Sequence, residues 1–220
     1  GKDSWMSCIV YRMQADEVRK FSFADQEQAI LLMYGDVEFA WEDKTERIAR
    51  ATFFDEGRGT CCLHVAKGVE VTVKAFAETE LMWQATENDR EFASKLYHPN
   101  EIRNEVFGKG LCGTTCERRV TTILDYSNAP YSNLVVGETY TEQGAWSGYP
   151  PHGHRQPEVY YYRADKPQGF GACFIGDNAY VIKDRSYSLL MDGKSHPQVT
   201  APGYHLYIVW MIRHLPDDPW

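Results

Sequence analysis

Short stretches that alternate apolar and polar residues are the feature that most constrains the fold of this chain. The segment Val69–Lys74 reads Val-Glu-Val-Thr-Val-Lys, and the turn signal Lys67-Gly68 stands directly before it. An alternation with period two places every second side chain on the same face of a β-strand. Similar stretches recur at intervals of roughly 8–12 residues with turn residues between them, which predicts an antiparallel β-sandwich or barrel.

The predicted strands fall into two blocks of similar size. The first block has its strands at Gln28–Tyr34, Val37–Trp41, Cys61–Val65, Val69–Lys74 and Glu78–Thr86, with a turn at Gly35-Asp36. The second block has them at Asn133–Tyr140, Glu158–Arg163, Ala172–Ile175, Ser186–Met191 and Tyr204–Ile212. We expect an all-β protein of two tandem barrels, divided into residues 1–115 and 116–220.

Two features interrupt this strand pattern. A turn-rich crossing is predicted from about residue 98 to residue 128, between the two blocks. Helical periodicity is scarce, and only Asp16–Lys20 and Thr45–Arg50 are predicted to form a turn or two of helix.

Charge and hydropathy exclude several kinds of partner. The net charge is −8, which argues against nucleic acid because phosphate binding requires clustered Lys and Arg. The apolar run Leu206–Ile212 has seven residues, whereas a membrane helix needs roughly 20, so no membrane partner is expected. No signal peptide is visible near Gly1.

The six cysteines indicate a reducing compartment. A chain of 220 residues buries enough surface to fold without disulfides, and the neighbours Cys61 and Cys62 cannot easily bridge each other. Cys112 and Cys116 are four positions apart, but no second pair follows at the spacing of a zinc ribbon. We therefore expect reduced thiols and a cytoplasmic protein.

The second block carries the residues of a candidate metal site. His152 and His154 are two positions apart and face the same side of an extended chain, Glu158 opens the next predicted strand, and His196 follows the turn Asp192-Gly193. A lone His-x-His is most often a solvated loop, but a nearby Glu and a third His favour metal binding. Three imidazoles and one carboxylate suit zinc, manganese, iron or nickel. The other histidines, His64, His98, His205 and His214, are read as structural or surface residues.

The spacing His152-x-His154-x3-Glu158, with Gly193-x2-His196 downstream, resembles the metal motifs of the cupin family of β-barrels. A narrower set of segments is similar to the 5-deoxy-glucuronate isomerase family of inositol catabolism, which is grouped with 5-keto-4-deoxyuronate isomerase. These segments are Asn133–Glu138, Gly144–His152, Glu158–Arg163, Pro167–Phe170 and His196–Tyr207, while Leu63–Gly68 resembles the end of a first cupin half.

The resemblance implies a bicupin in which only the C-terminal half, residues 116–220, binds metal, and the N-terminal half, residues 1–115, is metal-free. It implies an aldose–ketose isomerase, an intramolecular oxidoreductase of carbohydrate metabolism, acting on a deoxy-uronic acid. Zinc is the first choice of cofactor. In such a reaction a Lewis acid polarises the carbonyl while another group moves a proton through an enediol.

Strand alternation places Tyr160 and Tyr162 on the same face as Glu158, and Tyr161 and Arg163 outward. Tyr160 and Tyr162 are therefore the candidate catalytic residues, either as proton shuttles or as groups that orient a hydroxyl; a role as barrel-lining aromatics stays open. A substrate carboxylate also needs a cation, for which Lys183, Arg185 and Arg213 are candidates.

Two other functions remain open from the sequence. A cupin oxygenase uses the same ligands with iron, and a non-catalytic sugar-acid binding protein needs only the fold. In each case the expected partner is a small molecule, because a divalent ion offset only by Glu158 leaves a local positive charge in an acidic protein. The sequence leaves a homo-oligomer open.

Overall fold

The computed structural model describes residues 3–220. Eighteen β-strands and a single 3₁₀ turn at Pro99–Glu101 make up its regular structure. Within residues 3–220, no helix is long and apolar enough to cross a membrane. The chain divides into two compact units, of which unit 1 comprises the described residues up to Ile102 with Tyr126–Leu134, and unit 2 comprises Arg103–Asp125 with Val135–Trp220.

Unit 1 is a single branched sheet of eight antiparallel strands. The strands are β1 (Met6–Met13), β2 (Val18–Phe21), β3 (Gln26–Trp41), β4 (Lys44–Arg50), β5 (Cys61–Val65), β6 (Val71–Ala75), β7 (Thr79–Glu87) and β8 (Lys95–Tyr97). The main path runs β1-β7-β3-β5-β8, while β4 and β6 pair with the second half of β3 and β2 pairs with β6. Alternate residues of these strands fill an apolar core that includes Ile30, Phe39, Val73, Leu81 and Trp83.

The long strand β3 corrects the predicted turn at Gly35-Asp36. The chain continues through both residues as one strand, with an irregularity between Leu32 and Tyr34. Gly35 has a φ of +122°, and a Cβ there would lie 2.1 Å from Oγ1 of Thr79. Gly35 therefore marks the place where β3 bends and changes its partner strands, because only glycine fits that backbone at that distance.

Unit 2 contains two sheets. Their strands are β9 (Arg103–Phe107), β10 (Arg118–Leu124), β11 (Leu134–Thr141), β12 (Trp146–Ser147), β13 (Glu158–Ala164), β14 (Phe170–Ile175), β15 (Asn178–Lys183), β16 (Tyr187–Leu190), β17 (Gln198–Thr200) and β18 (Leu206–Arg213). One sheet runs β16-β13-β18-β11-β10-β9 and the other β12-β17-β14-β15. Side chains from both sheets form the core, among them Tyr162, Cys173, Ile182 and Ile208.

Both predicted helical turns are wrong. Residues 18–21 form β2, and Thr45–Arg50 lies in β4, which pairs along its whole length with β3. The Glu, Arg and Ala residues of β4 favour a helix by intrinsic propensity, but the hairpin with β3 buries Ile48 and overrides that preference.

The predicted crossing from residue 98 to residue 128 is also partly wrong, because it contains the antiparallel pair β9 and β10. The division after residue 115 stays a prediction about domains. The two compact units do not divide there. Strand β9 lies before residue 115 but pairs with β10 and belongs to unit 2. The segment 126–134 lies after residue 115 but belongs to unit 1, where Nδ2 of Asn88 donates a hydrogen bond to the carbonyl of Tyr131.

Candidate metal centre

Three residues of unit 2 bring metal-ligating atoms together. Glu158 is the first residue of β13, His154 lies in the loop before it, and His196 lies in the loop between β16 and β17. One ligand atom from each lies within 4.8 Å of the other two. Oε2 of Glu158 is 3.1 Å from Nε2 of His154 and 3.3 Å from Nε2 of His196, so both imidazoles face the same carboxylate oxygen.

The backbone fixes the orientation of the three predicted imidazole ligands in the same way. In each, Nδ1 donates to a carbonyl two residues away: His152 to Pro150 at 2.9 Å, His154 to Gln156 at 2.9 Å and His196 to Lys194 at 3.0 Å. Because a carbonyl only accepts, the proton belongs on Nδ1 and the Nε2 lone pair is left for another partner. Metal-binding histidines are oriented by such hydrogen bonds.

The buried Nε2 atom of His196 provides the test of whether these residues fit a metal. This atom has no hydrogen-bond partner in the described part of the chain, although the residue is only 2% exposed. Burial lowers the pKa of His196 despite the opposing charge of Glu158, so the ring is neutral and its lone pair faces a carboxylate. Two electron-rich atoms at 3.3 Å repel each other unless a cation lies between them. The donor set therefore fits a divalent metal.

His154 differs from His196 in its protonation. Burial lowers its pKa, but the hydrogen bond and charge of Glu158 and the carbonyl of Gln156 outweigh that effect, and the pKa is raised overall. Without a metal the ring can hold protons on both nitrogens and donate to both oxygens. Metal binding at this site would therefore release a proton, because a metal needs the Nε2 lone pair.

His152 lies beside this cluster rather than inside it. Its ring is exposed and meets His196 edge-on with 5.2 Å between centroids. Its role as the fourth ligand stays a prediction. The remaining histidines pair elsewhere, with Nε2 of His64 next to Glu27, Nε2 of His98 next to Glu46 and Nδ1 of His205 next to Glu142, while Nδ1 of His214 accepts from the amide of Trp220.

Close backbone packing holds the two ligand loops together. The amide of His196 donates to the carbonyl of His152 at 3.2 Å. A Cβ on Gly153 would lie 2.2 Å from the carbonyl oxygen of Gly193, so only glycine lets the loops approach this far. The spacing of the ligands therefore depends on Gly153 as well as on the ligands themselves.

A cavity of about 240 Å³ opens beside the cluster. Besides His152, His154 and Glu158, it is lined by aromatic, polar and charged side chains, including Arg103, Phe107, Arg118, Tyr160, Trp210 and Trp220. Trp210 lies over β11 at Gly137, where a Cβ would be 2.1 Å from the indole ring. An aromatic wall next to polar ligands is typical of a small-molecule site.

The two candidate catalytic tyrosines occupy different places. Tyr160 lines the cavity. Its pKa is raised, first by burial and then by the charge of Glu158 and a hydrogen bond to Glu158, so the Tyr160 hydroxyl stays protonated. Tyr162 is fully buried in the core behind the cavity, near Cys173 and Ser188, and burial raises its pKa as well. The structure therefore places Tyr160, and not Tyr162, where a ligand can reach it.

The opposite face of β13 differs from the prediction that it points outward. Tyr161 is 2% exposed and packs against Tyr187, and Arg163 is buried with its Nε 2.8 Å from Asp184. The alternation of faces is as predicted, but both faces are covered.

Lys183, Arg185 and Arg213 are not among the described residues that line the cavity, whereas Arg103 and Arg118 are. Sequence reasoning misses the two arginines because the residues around β9 and β10 predict turns. The signal was the alternation Arg118-x-Val120-x-Thr122, whose three members all line the cavity.

Comparison with known proteins adds a family and a fold. The family model described as the KduI/IolB family matches residues 2–220. A protein named 5-deoxy-glucuronate isomerase from Geobacillus thermodenitrificans is 26% identical, covering 96% of this chain and 84% of its own. Another of that name, from Bacillus velezensis, is 30% identical, covering 81% of this chain and 67% of its own.

Solved structures agree with the relatives. An IolB-like protein from Salmonella typhimurium LT2 is 25% identical with a TM-score of 0.87, covering 94% of this chain and 83% of that one. Oxalate decarboxylase from Lactobacillus farciminis, at 8% identity and a TM-score of 0.71, covers 94% of this chain and 76% of its own. A cupin 2 conserved barrel domain protein from Leptotrichia buccalis has a TM-score of 0.53 at 12% identity, covering 97% and 91%. The predicted all-β bicupin fold is confirmed.

Proposed function

The chain belongs to the KduI/IolB family, and from this membership and the donor cluster of unit 2 we propose that it is a metal-dependent aldose–ketose isomerase. Its substrate in this proposal is a deoxy-uronic acid, 5-deoxy-glucuronate, as the name of the relatives indicates, and its place is inositol catabolism, as the sequence resemblance implies. The observation that carries the metal dependence is the buried Nε2 atom of His196, which faces Glu158 without a hydrogen-bond partner among the described residues.

The residues that would hold the metal are His154, Glu158 and His196, with His152 as the fourth ligand. A bound divalent ion, zinc first, would polarise the substrate carbonyl and stabilise negative charge on the neighbouring oxygen. Manganese, iron and nickel suit the same imidazole and carboxylate donors.

The isomerisation moves hydrogen within one molecule. A proton leaves C2 and another is delivered to C1, while the proton on the C2 hydroxyl is lost and the C1 oxygen gains one, so that no external oxidant is required. Tyr160 suits a donor role because its hydroxyl stays protonated and faces the cavity beside Glu158. Tyr162 supports the ring of Tyr160 from behind, with 6.1 Å between the ring centroids.

The walls of the cavity contribute positioning. Trp210 and Trp220 lie 6.0 Å apart between ring centroids, and Trp220 meets His154 edge-on at 6.1 Å. These rings place apolar surface beside His154, and apolar surroundings strengthen electrostatic contacts to a bound ligand.

A cytoplasmic location is part of the same proposal. The six cysteines are not joined in disulfides within residues 3–220, and a reducing compartment favours that state. The partner is a small-molecule sugar acid, and a homo-oligomer remains compatible with the proposal.

The deciding experiment follows 5-deoxy-glucuronate by NMR in the presence of the metal-loaded protein. We expect loss of the aldose C1 signal and growth of a ketose signal, abolished by a chelator and restored by added zinc or manganese. A matched sample in an oxygen electrode should show no oxygen consumption. Turnover that consumes oxygen would indicate an oxygenase, and binding without conversion under any of the four metals would indicate a binding protein.

A further inference from the structure

The cavity of unit 2 contains a guanidinium group with no carboxylate partner. Arg118 is the first residue of β10, and its side chain lines the same cavity as His154 and Glu158. One nitrogen, Nη1, donates to the carbonyl of Cys116 at 2.9 Å, and the group lies 5.8 Å from the centre of the Phe107 ring. A guanidinium has five N–H donors, so most of its donors are left for another partner.

The charges around the cavity single out Arg118. The second cavity arginine, Arg103, is neutralised by an ion pair with Asp125. Glu105 also lines the cavity from the exposed strand β9, but in residues 3–220 neither Glu105 nor any other acidic side chain forms an ion pair with Arg118. Burial lowers the pKa of Arg118, as expected for a cation that has lost water without gaining a counter-charge. Such a group attracts an anion that can enter the cavity.

Tyr160 lies in the same cavity as the Arg118 guanidinium and the metal cluster residues His154 and Glu158. It is two residues from Glu158 on the same face of β13. A ligand with a carboxylate at one end would therefore extend past Tyr160 and place its other end at His154 and Glu158. Planar carboxylates and the planar fork of arginine match in a bidentate arrangement, which lysine cannot provide.

We propose that Arg118 binds the substrate carboxylate and makes the cavity select uronic acids over neutral sugars. The inference rests on the proposed function for the identity of the substrate as a sugar acid, but it concerns a residue of β10 that is not a metal ligand.

The neighbouring residue Arg119 provides a matched control. It carries the same charge on the same strand, but it is not among the described residues that line the cavity, and its Nη1 donates to Oδ1 of Asn104 at 3.3 Å. Replacing it changes the net charge of the protein by the same amount as replacing Arg118.

The test measures binding of D-glucuronate and of its neutral amide, D-glucuronamide, by calorimetry on the metal-loaded protein. For Arg118→Gln we expect the glucuronate affinity to fall about 10–100-fold, the usual loss for charge-assisted hydrogen bonds, and the glucuronamide affinity to change less than about threefold. For Arg118→Lys we expect an intermediate loss for glucuronate, since the charge stays and the fork is lost. Arg119→Gln should change neither affinity appreciably.

The ratio of the two affinities decides the outcome. A ratio in Arg118→Gln equal to that of the unmodified protein would overturn the proposal, as would equal losses in Arg118→Gln and Arg119→Gln. If Arg118→Gln fails to fold in a thermal unfolding control, Arg118→Lys decides by the same ratio.

The proposed function is tested separately by the turnover of 5-deoxy-glucuronate. Turnover with a KM that Arg118→Gln leaves unchanged would overturn the role of Arg118 while the isomerase proposal stands. Selective glucuronate binding that depends on Arg118, in a protein without isomerase activity, would support the carboxylate site and overturn the isomerase proposal.

Discussion

In unit 1 the side chains that fill the interior are mainly apolar, whereas in unit 2 the interior face of β13 presents Glu158, Tyr160 and Tyr162 in succession. Buried polar groups occur in unit 1 as well, but its buried carboxylate Glu27 accepts hydrogen bonds from His64 and Ser132 at 2.9 Å each. In unit 2 the Nε2 atom of His196 is left without such a partner among the described residues.

From this difference we propose different roles for the two units. Sheets packed around Leu, Val and Trp contribute stability through buried apolar surface. A buried lone pair and carboxylate contribute none without a further group, and so they indicate a ligand. We therefore assign stability to unit 1 and chemistry to unit 2, an assignment that the following variants can break.

The largest effect is expected for Glu158→Gln in unit 2. The substitution keeps the shape of the side chain but removes the negative charge that faces both His154 and His196. We expect the metal content to fall far below one ion per chain and kcat/KM to drop at least about 1,000-fold, or roughly 4 kcal/mol. Metal analysis and a thermal shift on metal addition check this, and full metal content in the variant would contradict it.

The same substitution in unit 1, Glu27→Gln, should act on stability instead. The fully buried Glu27 accepts from His64 and Ser132 at 2.9 Å each, and from the amide of Asn133. Replacing one acceptor oxygen with an amide should cost roughly 1–3 kcal/mol in the free energy of unfolding, because a buried donor then loses its acceptor. Denaturant unfolding measures the loss. The folded variant should keep its metal, and a variant depleted of metal would erase the distinction between the units.

A smaller effect is expected where the ligand loops touch. Gly153→Ala places a methyl group against the carbonyl of Gly193 and should move His154 away from His196. Changes in the support of metal ligands typically weaken metal binding about 10–100-fold, and we expect a loss in that range. Gly144→Ala is a control for the glycine change within unit 2, because nothing lies within 4 Å of its Cβ, although its φ of +69° adds local strain. Equal metal affinities of the two variants would contradict the packing argument.

The smallest effect is expected from reductant. All six thiols should titrate in denaturant without prior reduction, and reductant should leave the midpoint of thermal unfolding within about 1 °C, since no disulfide constrains the unfolded chain. A titre of zero with three bridges would instead indicate an oxidising compartment.

The motif residues were predictable from sequence because their chemistry and their spacing coincide. His154 and Glu158 lie more than 35 positions before His196 along the chain, yet the motif spacing identified all three. The strand alternation of β13 likewise predicted that Tyr160 shares a face with Glu158.

The cations of the cavity could not be found in the same way. Arg118 follows a loop rich in Gly, Thr and Cys, so the local sequence signals a turn while the pairing of β10 with β9 and β11 makes a strand. The same tertiary pairing overrode the helical propensity of Thr45–Arg50. Local composition fails where a long-range partner decides the conformation.

Anomalous diffraction at the absorption edge of the metal carried by the purified protein tests the central claim most directly. The account predicts one peak per chain, in unit 2, about 2.0–2.2 Å from Nε2 of His154, Nε2 of His196 and a carboxylate oxygen of Glu158. A further contact from His152 would confirm the fourth ligand. Absence of a peak at this cluster in metal-loaded crystals, or a peak in unit 1 instead, would contradict the account.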